Sequence, residues 1–272
     1  MSNRCTILVS SCDAYEDTWY PFFRIMEEQW SNCPYPIVLN TESKSFSYKD
    51  MNIKTFNFYK SGQKVPWGKR LIKTLKNIDS EYILFMLDDF FLLKPVDQQR
   101  IEECIKWMDE DKDISVFSFW RTHQPNIKDG KYPHFERRPQ NGKYRLNCQA
   151  AIWRREKLIS YIRPHENPWQ WETLGSKRSE RYPEKFYSAI EGEPYIMEYS
   201  ILEYGLVRGK WTRGVVDLFK KYDIECDFSK RGFHGEESTP IKTVNKKPTI
   251  IHRIKCRYKY TMNKFNEWKS LR

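Results

Sequence analysis

Two adjacent carboxylates, Asp88 and Asp89, directly follow an apolar run that extends from Tyr82 to Leu87. A run of this length, rich in aromatic and branched side chains, is typical of a strand that is buried on both faces. Ionised aspartates are rarely buried without a partner, because removing their charge from water is costly. In open α/β sheets, ligands bind at the carboxyl ends of the strands. The pair therefore predicts a site for a metal ion and a diphosphate. The alternative is that one aspartate caps a turn or a helix while the other is solvated.

A second cluster that could do chemistry is Asn167-Pro-Trp169-Gln-Trp171-Glu172. Tryptophan rings stack on the apolar faces of sugar rings, and a carboxylate among them can accept the proton of a sugar hydroxyl. Trp169 and Trp171 are therefore candidate binding residues, and Glu172 is a candidate general base. The alternative is that both rings belong to the core and that Glu172 caps the following helix. Three other carboxylates of this half are rival bases: Glu166, Glu191 and Glu193.

Alternating strands and helices are predicted to position these residues. The apolar patterns predict strands at residues 6–11, 36–40, 53–58, 82–87, 114–120 and 146–153. Helical spacing predicts helices at residues 19–30, 67–78, 97–109, 156–162 and 195–204, while residues 123–145 are predicted to form a long loop or hairpin. This alternation favours an α/β fold with a mostly parallel central sheet flanked by helices. Because no repeat or linker interrupts the chain, we expect one compact domain with two functional halves, residues 1–112 and 113–272.

The first half resembles the nucleotide-binding half of GT-A glycosyltransferases. A helix with Lys69-Arg70, a turn at Ser80-Glu81, a hydrophobic strand and an acidic motif follow one another as in that family, and the likeness covers residues 5–175. The family's usual motif is Asp-x-Asp, whereas this chain has Leu87-Asp88-Asp89-Phe90, with an apolar residue in place of one carboxylate. The resemblance implies a GT-A-like, Rossmann-like sheet with a nucleotide-sugar-binding half and a mixed acceptor-binding half.

The resemblance also implies roles for residues near the predicted strand ends. Asp89 is expected to hold Mn²⁺ or Mg²⁺, and Asp88 to contact the ribose or to support the metal ligand. Such ions take oxygen ligands from one or two carboxylates and from phosphates, and they stabilise a leaving diphosphate. The expected donor-binding residues are Ser10, Ser11, Asp13, Lys69 and Arg70. Their alternatives are an ordinary strand-to-helix turn capped by Asp13 and a solvated helix face at residues 69–70.

Two histidines are candidates for a further metal ligand. Some family members have a late histidine ligand, which would correspond to His252, and His234 is its rival. For each of these histidines, a role away from the metal is the alternative.

Taken together, these residues predict a glycosyltransferase. It would move a sugar from a UDP- or GDP-linked donor to a hydroxyl of a saccharide or lipid-linked saccharide. With Glu172 as general base, direct displacement would invert the anomeric centre, and Trp169 and Trp171 would bind the acceptor. Two alternatives belong to other classes: a non-catalytic basic, aromatic-rich module that binds nucleic acid or polysaccharide, and a metal-dependent nucleotidyltransferase.

The charge of the chain is concentrated near its C-terminus. Of the net charge of +11, residues 242–272 carry +9, from ten Lys and Arg residues and a single acid, Glu267. Aromatic side chains interleave with these charges, which suits an anionic membrane surface. The alternatives are a solvated helix and a nucleic-acid patch, although no helix-turn-helix, zinc-finger or RNA-binding signature is present and we expect no nucleic-acid partner.

The remaining composition narrows the protein class. No stretch approaches 18 apolar residues, and the first apolar run is too short for a signal peptide, so we expect a cytoplasmic protein that is peripheral on the inner face of the membrane. The seven cysteines are odd in number and form no Cys-x-x-Cys pair, which disfavours zinc knuckles and a disulfide framework.

Overall fold

The computed structural model describes residues 4–121 and 126–236. Within these residues an eight-stranded sheet has the strand order β3-β2-β1-β4-β7-β5-β8-β6, and β9 and β10 form a separate hairpin. The strands are β1 (Cys5–Ser10), β2 (Ile37–Asn40), β3 (Ile53–Phe56), β4 (Tyr82–Leu87), β5 (Ile114–Ser118), β6 (Phe135–Arg137), β7 (Ala151–Arg154), β8 (Lys185–Ala189), β9 (Leu206–Val207) and β10 (Lys210–Trp211).

Helices cover both faces of the sheet. They are α1 (Glu16–Gln29), α2 (Trp67–Leu75), α3 (Gln98–Glu110), α4 (Arg155–Tyr161), α5 (Pro168–Gln170), α6 (Ser176–Ser179), α7 (Ile201–Tyr204) and α8 (Gly214–Lys221). A π-helical turn, Trp171–Gly175, joins α5 to α6. Among the described residues, no helix is both long and apolar enough to cross a bilayer.

The direction of the strands brings six carboxyl ends, those of β1 to β5 and of β8, to one edge of the sheet. β1 is parallel to β2 and β4, and β5 is parallel to β8. β7 is antiparallel to both of its neighbours, β4 and β5, so these two strands point the same way. The expected mostly parallel α/β sheet with a mixed second half is confirmed. Side chains that follow β1, β4, β5 and β8 therefore share an edge.

The apolar run that precedes the two aspartates is the central strand β4, as predicted. Its side chains alternate between the two layers of the core. Leu84 and Met86 pack in the layer that contains α1 and α3, whereas Ile83 and Phe85 pack in the layer that contains α2. Since both faces of β4 are covered, the strand holds its carboxyl end in a fixed position.

Two predicted elements are shorter than their apolar patterns indicated. The strand expected at residues 146–153 begins only at Ala151, because preceding amides donate to side chains of other segments: Leu146 N to Ser176 Oγ at 2.9 Å and Cys148 N to Glu172 Oε1 at 2.8 Å. The helix expected at residues 195–204 is limited to α7. Carbonyls of residues 196 and 198 instead accept from the amides of residues 97 and 93, which keeps that segment extended.

Candidate active site

A cavity of about 760 Å³ lies at the sheet edge where β1 and β4 end. It collects residues from six separate stretches of the chain. The lining residues are Ser10, Ser11, Cys12 and Tyr15; Trp67 and Arg70; Leu87, Asp88 and Asp89; Cys148, Gln149, Pro168, Trp169 and Glu172; and Leu206, Arg208 and Gly209. Both predicted clusters, the aspartate pair and the Trp-rich segment, therefore face one space.

Asp88 is buried in a hydrogen-bonded environment. Ser11 Oγ donates to Asp88 Oδ2, and Trp19 Nε1 donates to Ser11 Oγ at 2.6 Å. Burial raises the pKa of Asp88 above its ordinary value, and the hydrogen bonds from Ser11 and Thr18 oppose that rise. These donors fix the orientation of the Asp88 carboxylate.

Asp89 has a different environment from its neighbour. Its buried Oδ1 accepts no hydrogen bond from a described residue. Burial, followed by the negative charge of Asp88, raises the pKa of Asp89. A buried carboxylate oxygen without a donor needs a cation or a proton.

These carboxylates fit a divalent cation that also binds phosphate. Mg²⁺ and Mn²⁺ are commonly held by one or two carboxylates together with substrate phosphates and water. In the described part of the chain, no group of three or more His, Cys, Asp or Glu side chains could hold a metal. Asp89 Oδ1 would be the protein's oxygen ligand to the cation, and phosphate oxygens of a nucleotide would complete the coordination of the ion.

The end of β1 forms the wall beside Asp88. Trp67 Nε1 donates to Ser10 Oγ at 3.1 Å, and Arg70 Nη1 donates to the Ser11 carbonyl at 2.8 Å. Arg70 is buried and its Nε lies 3.3 Å from Glu42 Oε1, so its charge is already paired. Lys69 is exposed and lies outside the cavity lining. This position matches the alternative for Lys69, a solvated helix face.

Asp13 lies outside the cavity lining and organises a neighbouring loop. Its Oδ1 accepts from the backbone amides of Glu42 and Ser43 at 3.0 and 3.1 Å, and from that of Lys44 at 3.3 Å. The expected nucleotide contact of Asp13 is thus replaced by a structural one, because the carboxylate is fully used by the 42–44 loop.

Glu172 occupies the π-helical turn and lines the cavity. Its Oε1 accepts from the backbone N–H of Cys148 at 2.8 Å, and burial raises the pKa of Glu172 above its ordinary value. Its alternative role as a cap of the following helix is not seen, because α6 has no side-chain cap hydrogen bond and Glu172 lies inside the π-helical turn. π-Helical turns frequently occur at functional sites, and this one directs a carboxylate into the cavity.

The two tryptophans of this segment have opposite environments. Trp169 is 74% exposed and lines the cavity, so its ring is available to a ligand. Trp171 is 0% exposed and packs against Trp67, Phe85 and Trp153. The expectation that Trp171 stacks on a sugar is wrong, because core side chains cover its ring.

The rival bases lie in other surroundings. Glu166 is fully buried and pairs with both terminal nitrogens of Arg178, at 2.6 and 2.8 Å. Glu193 pairs with His134 Nδ1, and Glu191 lines a smaller cavity of about 200 Å³. Of the carboxylates considered as bases, Glu172 is the one that lines the large cavity.

The histidine and membrane predictions mostly fall outside the described residues. His252 and the basic segment 242–272 lie beyond residue 236. His234 is described, is exposed, and lies outside the cavity lining. The metal role of His252 therefore stays a prediction.

Sequence reasoning missed the hairpin residues Arg208 and Gly209, which line the cavity together with Tyr15 and Gln149. The available signal was the Arg-Gly pair between two short segments of strand-forming residues, which is a turn pattern. Its proximity to Asp89 follows from packing between distant parts of the chain, which a single sequence does not reveal.

No family model matches the chain, and no curated protein sequence matches it. Among solved structures, residues 1–349 of S. aureus TarS are similar at 11% identity and a TM-score of 0.47, with 84% of this chain and 68% of that chain covered. The mannosyltransferase PcManGT from Pyrobaculum calidifontis, in complex with GDP-Man and Mn²⁺, gives 11% identity, a TM-score of 0.45, and coverage of 71% and 55%. A cytidylyltransferase from Leptospira borgpetersenii gives 13% identity, a TM-score of 0.43, and coverage of 86% and 99%.

These similar structures include glycosyltransferases and nucleotidyltransferases, all with TM-scores below 0.5. At these identities the similarity concerns the arrangement of the sheet and does not identify a substrate or a reaction. The case for function depends on the residues that line the cavity.

Proposed function

We propose that this protein is a glycosyltransferase that moves a sugar from a nucleoside-diphosphate sugar to a hydroxyl of a saccharide or lipid-linked saccharide. One observation carries the proposal: a single cavity is lined by two buried carboxylates, Asp88 and Asp89, and by a separate carboxylate, Glu172, beside the exposed ring of Trp169. Asp88 and Asp89 suit a metal ion bound to a diphosphate, and Glu172 beside Trp169 suits a sugar that presents a hydroxyl group.

The donor side of the cavity supports a nucleotide sugar. A departing nucleoside diphosphate carries closely spaced negative charge that must be neutralised. Asp89 would hold Mn²⁺ or Mg²⁺, which supplies positive charge to the diphosphate when it is bound. Asp88 and Ser11 keep the end of β4 in place through their hydrogen bond, so that Asp89 meets the ligand in a fixed geometry.

The acceptor side supports base-assisted displacement. The acceptor hydroxyl oxygen forms a bond to the anomeric carbon while the bond from that carbon to the diphosphate oxygen breaks, and the electron pair leaves with the diphosphate. Glu172 takes the hydroxyl proton, and its raised pKa makes it a better base than an ordinary glutamate. One displacement of this kind inverts the anomeric centre.

Two other classes make different predictions about ligands. A nucleotidyltransferase binds a nucleoside triphosphate and also uses an acidic metal site, and the likeness in fold is compatible with it. A non-catalytic binding module has no need of a buried carboxylate oxygen without a donor, such as Asp89 Oδ1. The orphaned oxygen therefore favours an enzyme.

A thermal-shift screen tests the proposal. The full chain is heated with UDP, GDP, CDP, their triphosphates and oligonucleotides, each with and without Mn²⁺. Stabilisation by one diphosphate, increased by Mn²⁺, is the expected result, because a ligand that binds only the folded state raises the melting temperature. Stabilisation by a triphosphate alone indicates nucleotidyl transfer, and stabilisation by oligonucleotides alone indicates a binding module.

A further inference from the structure

The hairpin of β9 and β10 has an unusual residue in its turn. Arg208 and Gly209 connect the two strands and have φ angles of 53° and 76°. Two positive φ values in a two-residue hairpin loop define a type I′ turn, for which Asn-Gly and Asp-Gly are preferred. Arginine is uncommon in the left-handed conformation, because its Cβ crowds the backbone. A strained residue of this kind often marks a functional position.

Contacts at both ends hold the hairpin against the site. Gly205, directly before β9, packs against the Asp89 backbone, because a Cβ at Gly205 would lie 3.2 Å from the Asp89 carbonyl oxygen. At the turn, Arg231 Nη1 donates to the Gly209 carbonyl at 3.3 Å, while Arg231 Nε donates to Asp17 Oδ2 at 2.6 Å. The hairpin therefore packs against the end of β4 and the start of α1. These contacts fix the position of the Arg208 backbone beside the cavity.

Of the arginines that line the cavity, Arg208 is the one without an ion pair to a described carboxylate. The cavity is lined by two arginines, Arg70 and Arg208. Arg70 is buried, lies 3.3 Å from Glu42 Oε1, and donates to the Ser11 carbonyl. Arg208 is exposed and forms no ion pair with a carboxylate in residues 4–121 or 126–236, although Asp88 and Asp89 line the same cavity.

We propose that Arg208 binds the diphosphate of the nucleotide sugar and takes up its negative charge as it leaves. This inference rests on the proposed function and adds a residue to it. The planar guanidinium offers parallel N–H donors that match phosphate oxygens, which a single lysine ammonium does not. As the bond between the anomeric carbon and the diphosphate oxygen breaks, that oxygen keeps the electron pair, and Arg208 stabilises the resulting charge.

The test compares ligands with and without phosphate on matched variants. Arg208→Asn removes the charge but tolerates the left-handed conformation, so the hairpin is kept. Lys210→Asn removes one positive charge from the same hairpin at a position outside the cavity lining. The affinity for the nucleoside diphosphate that most stabilises the wild type, and for the corresponding nucleoside, is measured in EDTA and in Mn²⁺, by calorimetry and ligand-observed NMR.

We expect Arg208→Asn to weaken diphosphate affinity by about 10- to 100-fold, as for the loss of a charged hydrogen bond, with nucleoside affinity unchanged. Lys210→Asn should bind both ligands like the wild type, and Arg208→Lys should lie between. If Arg208→Asn binds the diphosphate with wild-type affinity, the role of Arg208 is contradicted, whereas the proposed function is not. Equal weakening of nucleoside and diphosphate also overturns it, because phosphate charge is then not what Arg208 recognises. If no nucleoside diphosphate binds the wild type, the proposed function itself fails.

Discussion

The two adjacent aspartates illustrate how neighbouring residues of one type acquire different roles. Asp88 accepts from Ser11, which in turn accepts from Trp19. Asp89 has a buried Oδ1 without a described donor. Both aspartates lie in the turn that follows β4, where Asp88 meets the end of β1. The roles expected from the resemblance, Asp88 supporting and Asp89 binding metal, stay predictions.

Asp89→Asn is expected to reduce transfer nearly to background without loss of the fold. A neutral amide is a poor ligand for a divalent cation. Since burial and the charge of Asp88 raise the pKa of Asp89, the ionised form is disfavoured in the folded protein, and the amide should not lower the melting temperature. Turnover at saturating donor and Mn²⁺ is compared with the melting temperature of each variant. Wild-type turnover in Asp89→Asn would rule out its role as metal ligand.

Glu172→Gln is expected to lower turnover by about 10²- to 10⁴-fold, the usual contribution of a positioned general base. The amide oxygen still accepts the hydrogen bond from the Cys148 backbone, so the melting temperature and the donor affinity should change little. Both are measured together with turnover. A lowered melting temperature with normal turnover would instead indicate a purely structural role.

The same residue determines the expected pH profile. Glu172 must be ionised to act as base, and its pKa is raised by burial. Wild-type turnover should therefore rise with pH along a limb above the ordinary glutamate pKa of about 4.3. In Glu172→Gln, turnover should no longer rise with pH in this range. If the rise persists in the variant, it is caused by the titration of another group.

At the scale of elements, the short helical segment from α5 to α6 places neighbouring side chains in different environments. Its π-helical turn follows directly after α5, and the chain there places Trp169 outward, Trp171 in the core and Glu172 in the cavity. The capping box of Asn167 and Gln170 fixes where the segment begins. The orientation of the candidate base is thus a property of the whole segment.

The two tryptophans provide a matched pair of variants. Trp171→Ala should destabilise the fold by about 3–5 kcal/mol, because a fully buried ring leaves a large cavity. Trp169→Ala should leave the melting temperature nearly unchanged, since its ring is exposed, and should raise the KM for the acceptor. Denaturant unfolding and acceptor titration distinguish these effects. An unchanged acceptor KM in Trp169→Ala would remove that ring from the acceptor site.

Local patterns predicted the elements that depend on local burial. β4 and the aspartates at its end follow from one apolar run, and α2 follows from its helical spacing. Segments shaped by distant partners were not predictable in this way. Residues 146–150 have the apolar character of a strand, but their amides donate to Glu172, Ser176 and Tyr199. The contribution of Arg208 depends on the packing of the hairpin against Asp89, which is likewise non-local.

At the scale of the whole molecule, the cavity takes residues from both predicted halves. The ends of β1 and β4 come from the first half, whereas the α5 segment and the β9–β10 hairpin come from the second. The division of roles near residue 112 stays a prediction, because one cavity takes residues from both sides of it. Arg208 would be an exception to this division, since the second half provides it for the donor.

The charge distribution of the chain indicates how such a site would meet a lipid-linked acceptor. Residues 242–272 lie beyond the described part of the chain and carry ten of its 47 Lys and Arg residues. A basic side chain near an anionic bilayer surface contributes about 1 kcal/mol of binding, and salt screens this attraction. We therefore propose that this segment brings the protein to the inner face of the membrane.

Removing residues 254–272, which contain six of those basic residues, should weaken binding to anionic vesicles and make the residual binding nearly independent of salt. Neutral vesicles are the control, because only the charge-dependent part should be lost. Vesicle sedimentation is measured over a series of salt concentrations, and the melting temperature of the truncated chain shows whether it still folds. If truncation unfolds the protein, a full-length variant with serine at the same six positions replaces it. Unchanged, salt-dependent binding in a folded variant would exclude the segment as the membrane contact.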